Sequence, residues 1–150
     1  MKELVYEDTP RYDSWLKLML GAILALTLIL GFVLLPIDIS GAGVMFGVTL
    51  FDALLFRAIL PRRFQIYQDR VRIVLGGPLA LNIPLLDIRE ARLASSSKAF
   101  VYWGLRFVTS VRGVVEIVRK RGLSVVISPA NTDTFLEQLN QALGVASNSS

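Results

Sequence analysis

The chain has 150 residues, 53% of them hydrophobic and 19% charged, and a formal net charge of +4. This length suits one modest domain with accessories rather than two full globular domains. The absence of cysteine and histidine excludes a disulfide framework, a thiolate metal site and any Cys or His nucleophile–base pair.

Residues 1–13 are polar and mixed in charge, and are expected to form a cytoplasmic segment that is flexible or lies on the surface. Leu18 to Leu35 then runs without a single charge. With its flanks it predicts a helix over Ser14–Leu35, long enough for the roughly 20 apolar residues a bilayer span needs. A signal peptide has a shorter apolar core of about 7–15 residues and a small-residue cleavage site, so that reading is rejected. Pro36 to Gly41 supplies turn residues, and a second helix is expected from Gly41 to Leu60, stopped by Pro61. So short a turn makes 14–61 an antiparallel transmembrane hairpin. The turn holds Asp38 and no base, while Lys17, Arg57, Arg62 and Arg63 lie at the opposite ends. The positive-inside rule then places both termini on the cytoplasmic side of the membrane.

Beyond Pro61 the hydrophobic period changes from helical to alternating. "RFQIYQDRVRIVLGG" reads as two strands joined by a tight turn at Gln68-Asp69-Arg70. Strand-like stretches follow at Leu79–Ile83 and Ile88–Leu93, then in "VYWGLRFVTS", "GVVEIVRK" and "LSVVIS". Turn signals at this spacing point to an antiparallel barrel or sandwich. "NTDTFLEQLNQALG" returns to helical spacing, with Phe135, Leu139 and Ala142 or Leu143 on one face. Asn131 is a candidate N-cap, with Thr134 and Glu137 as an alternative capping box. Gly144 is expected to end the helix and leave 145–150 as a loose tail. The fold class is thus α+β, with residues 62–144 as the soluble domain.

Three pieces of that domain carry a resemblance: "IPLLDIREA", "WGLR…RGVVEIVRKRG" and "ISPANTDTFLEQL". In this order, over about residues 62–143, they resemble bacterial PH-like domains, the membrane-associated group with the pleckstrin-homology fold. The resemblance implies a bent seven-stranded barrel, open at one end and plugged by the C-terminal helix. It implies little about activity. Eukaryotic relatives bind inositol phosphates through a basic first hairpin, whereas this one offers only Arg70 and Arg72, so phosphoinositide recognition is not expected.

The charge is uneven: residues 62–150 hold twelve bases and six acids, residues 1–61 four bases and six acids. A basic domain next to a bilayer is drawn to anionic headgroups, which makes Lys17, Arg57, Arg62, Arg63, Arg70 and Arg72 candidate membrane-surface residues. A plain topogenic signal with no specific lipid is the simpler reading of the same residues. Asp52 is an ionisable residue inside a span and a functional candidate for that reason. Thr27 is its expected hydrogen-bond partner across the hairpin. Gly43 and Gly47 form a GxxxG, serving either close approach to the first helix or docking to another subunit. Tyr102, Trp103 and Arg106 are candidate partner contacts, weighed against burial of the aromatics in the barrel core. Ser95-Ser96-Ser97-Lys98 reads as a solvated loop rather than a Ser–Lys pair, and Gly76-Gly77-Pro78 lacks the following helix of a phosphate cradle. No enzyme, cofactor, metal, nucleic acid or small-molecule substrate is expected. The expectation is a non-catalytic membrane protein whose PH-like domain serves as an interaction or scaffold module. Its partners would be membrane lipids and a membrane protein or second copy. Alternatives are an accessory subunit of a larger membrane complex, or an oligomeric transport component using Asp52.

Overall fold

A computed structural model of the chain describes residues 3–94, 105–110 and 112–148. Two helices dominate the first third, α1 (Ser14–Leu34) and α2 (Ile39–Ile59). Both are long and apolar enough to cross a membrane, and only 6% of either span is buried, so neither is the core helix of a soluble domain. The Asp38 side chain accepts the Ser40 N–H at 3.0 Å and so satisfies one of the open donors at the start of α2.

The rest of the described chain forms two four-stranded sheets. The first has the order β1-β2-β3-β4, built from Leu4–Asp8, Pro61–Tyr67, Arg70–Leu75 and Ala80–Pro84. The second has the order β5-β7-β8-β6, from Ile88–Leu93, Val115–Arg119, Val125–Ile127 and Leu105–Phe107. All pairs are antiparallel except β6 with β8, which run parallel. Among the described residues the sheets are not closed into a barrel, which corrects the expected architecture. Between β4 and β5 the chain makes a 3-10 turn at Leu85–Asp87, directly after Pro84. The turn carries the chain from one sheet to the other without continuing the hydrogen-bond ladder.

The two sheets share one core. Phe64, Ile66, Val71, Ile73 and Ile83 from the first meet Val115, Ile117, Val125 and Ile127 from the second. Alternation along β2 and β3 sends these residues inward and leaves Gln65, Arg70 and Arg72 on the other face. The helix α3 (Thr132–Asn148) packs against this core through fully buried Phe135 and Leu139. The Phe135 ring makes edge contacts with Tyr6 and Phe64, each at 6.3 Å between centroids. Gly144 does not stop α3, which continues to Asn148. Nothing lies within 4 Å of a side chain placed at Gly144, and the helix simply runs on past it.

Candidate functional site

The N-terminal segment is not a loose tail. Leu4–Asp8 is the strand β1, paired with β2 and ending opposite Phe64. The Asp8 carboxylate is buried and accepts the backbone N–H groups of Thr9 and Asn131, both at 2.8 Å. Asn131 is the residue just before α3, so an acidic side chain lies at the positive end of that helix. Burial and the nearby Asp8 charge push the Tyr6 hydroxyl above its ordinary range.

From β1 the chain enters α1 through several contacts with the second sheet. Arg11 N–H donates to the Ser128 carbonyl at 2.9 Å, and Asp13 N–H to the Thr109 carbonyl at 3.0 Å. Ser110 donates its hydroxyl to the Asp13 carboxylate at 2.8 Å, and Thr109 donates to the Arg11 carbonyl at 2.5 Å. The exit from α2 is held as well: the Tyr12 hydroxyl donates to the Pro61 carbonyl. Gly76 lies so close to the end of α2 that a Cβ there would fall 1.5 Å from the Arg57 carbonyl oxygen. Only glycine permits that approach. Both legs of the hairpin are therefore tied to the two-sheet domain.

Within the hairpin, Thr49 donates its hydroxyl to Thr27 at 2.9 Å. The expected Thr27–Asp52 hydrogen bond is not formed. With Thr27 opposite Thr49, Asp52 stands about one turn further along, level with residues 24 and 25. Asp52 is half-buried, and no hydrogen bond or ion pair among the described residues engages it. Close approach of the helices occurs at Gly31, where a Cβ would sit 2.7 Å from the Phe46 ring. Phe46 in turn meets Phe32 edge-on at 5.3 Å. Gly43 and Gly47 have nothing within 4 Å and lie exposed on the outer side of α2, so they do not serve packing within the hairpin.

The candidate surface residues separate into groups. Lys17 lies exposed on the first turns of α1 and Arg57 exposed on the last turn of α2. Arg70 pairs with Asp69 at 3.8 Å and lies over the Tyr67 ring at 5.5 Å, at the far end of the β2–β3 hairpin. Arg62, Arg63 and Arg72 come together instead, in a groove of about 420 Å³ on the outer face of the first sheet. Gln65, Tyr67, Val74, Leu75, Gly76 and Gly77 complete its lining. Arg63 shares Glu7 with Gln65, at 3.3 and 2.6 Å. Arg62 and Arg72 form no ion pair among the described residues, and the buried Nε of Arg72 has no acceptor. The burial that raises the Tyr12 hydroxyl pKa is partly offset by the Arg62 charge nearby.

Sequence reasoning named these arginines but could not separate Arg72 from Arg70, which share a strand and a face. Arg106 lies on β6 opposite Val126, whereas Tyr102 and Trp103 lie outside the described residues. On the other side of the domain, Arg92 and Arg119 are committed to structure. Arg92 holds buried Glu116 at 2.8 Å, and Arg119 holds Asp87 at 2.6 Å. The chain matches no protein-family model, no curated protein and no solved structure.

Proposed function

We propose that the protein is a non-catalytic membrane protein in which the hairpin presents a PH-like domain, in a set pose, to a membrane protein partner at the anionic leaflet. The observation that carries this is the double attachment of the hairpin. The α1 entry is bonded to Thr109, Ser110 and Ser128, and the α2 exit abuts Gly76. A simple anchor needs only a flexible tether, whereas bonds at both legs are useful when the orientation of the domain toward the membrane matters. The PH-like reading is supported by two sheets around one core with a C-terminal helix packed on it, together with the motif order from "IPLLDIREA" to "ISPANTDTFLEQL". The base-free Asp38 turn and the arginines at the other end support a cytoplasmic domain with both termini inside.

The test is purification of the tagged full chain from its native membranes in mild detergent. The expected result is co-purification of an integral membrane protein in about one-to-one ratio, which also covers the accessory-subunit reading. Repeated recovery of the chain alone would sink the proposal. A second reading, transport through Asp52, is favoured only by the unpartnered carboxylate. Two helices cannot enclose a polar path, so a monomeric detergent-solubilised mass eliminates it.

A further inference from the structure

The groove of Arg62, Arg63 and Arg72 has features that a diffuse positive surface does not need. Among the described residues Arg63 of the groove pairs with Glu7, whereas Arg62 and Arg72 form no ion pair, as is also true of Arg89, Arg112 and Arg121, which do not line the groove. A buried donor without an acceptor is costly, and Arg72 Nε is such a donor. Guanidinium groups match the geometry of phosphate oxygens, which they bind through paired, charge-assisted hydrogen bonds. Glu7 offsets only part of the charge, because it is occupied by Arg63 and Gln65. The floor at Gly76 and Gly77 lies against the last turn of α2, where a spanning helix reaches the headgroup layer.

We propose that this groove binds one phosphate-type oxyanion, held by Arg62 and Arg72 and supplied by the headgroup of an anionic lipid beside α2. The groove runs along β2 and β3 from Tyr67 to Gly76 and Gly77, which lie beside the end of α2. The proposal rests on α2 spanning a membrane and not on the identity of any protein partner. A bound headgroup would meet the Arg62 and Arg72 side chains that line the groove, and would fix the tilt of the domain already tied to α2.

The test uses the full chain in neutral detergent, with lipid retention read by native mass spectrometry and inorganic phosphate binding by calorimetry. Phosphatidylglycerol should be retained at one per chain, in preference to phosphatidylcholine. Arg72→Gln and Arg62→Gln should each weaken that retention about tenfold, and Arg72→Lys, which keeps the charge but not the fork, should weaken it too. Arg70→Gln, outside the groove, should leave it within about twofold. Equal losses in the Arg70 and Arg72 variants would overturn the groove in favour of diffuse attraction. Equal retention of the two lipids would overturn it as well. Tight, Arg72-dependent binding of inorganic phosphate without lipid retention would overturn the lipid source. If Arg72→Gln unfolds, exposed Arg62 carries the comparison. Lipid retention in a chain purified without any protein partner keeps the groove and removes only the scaffold reading.

Discussion

Tyr12 shows how one side chain can tie the two legs of the hairpin together. It precedes α1 yet donates its hydroxyl to Pro61, the residue where α2 gives way to β2. Burial raises its pKa above the ordinary 10.0, and the Arg62 charge pulls the other way. A tyrosine with a raised folded-state pKa stabilises fully below the unfolded value. That contribution is lost as pH rises from 10.0 through the folded-state value. Tyr12→Phe is therefore expected to lower stability by about 1 kcal/mol at neutral pH. It should also remove part of the alkaline loss of stability, both effects being read from unfolding midpoints between neutral pH and pH about 11. A variant with an unchanged alkaline limb would show that the hydroxyl is not held in this bond. The glycines make a related point. Gly31 and Gly47 are the same residue type on facing helices, but only Gly31 touches the opposite helix.

Among the elements, β1 and α3 depend on each other. A five-residue strand such as Leu4–Asp8 gives no strong local signal, and its pairing partner lies beyond the whole hairpin. The acid at its end, Asp8, secures the backbone at the start of α3 as well as its own neighbour. Asp8→Ala should destabilise the domain by about 1–3 kcal/mol, because it leaves buried N–H groups without acceptors. Chemical denaturation of the full chain in detergent checks this, and a loss well below that range would mean that water replaces the carboxylate. By contrast α3 was legible from the spacing of Phe135 and Leu139 alone, since burial of one face of a helix is written into a 3.6-residue period. Its end was not. Gly144 has the residue type of a C-cap, but the conformation depends on whether packing continues, and partly buried Ala146 lies against the core beyond it.

At the scale of the whole molecule, the helical hairpin is attached to the sheets at both of its legs. Gly76 is the narrowest point of that union. With no native cysteine, spin labels can be placed at exposed Val44 and Lys120 by cysteine substitution. The distance between them should form a single narrow distribution in the otherwise unaltered chain. Gly76→Ala, whose Cβ would meet the Arg57 carbonyl oxygen at 1.5 Å, should broaden or shift it. A broad distribution before that change would rule out the set pose.

By itself the sequence determined what is local: two apolar helical runs, the turn at Asp38, the alternating strands from Phe64 to Ile73, and the buried stripe of α3. Each follows from a period or a breaker within a few residues. Tertiary structure decided what depends on distant segments meeting. It added β1 to the first sheet, left the sheets unclosed at the 3-10 turn after Pro84, and paired Thr27 with Thr49 rather than Asp52. It also separated arginines that look equivalent in sequence. Arg70 has an acid and a ring beside it, whereas Arg72 shares a groove with Arg62 at the end of α2, because the carboxylates within reach of each guanidinium are set by the fold.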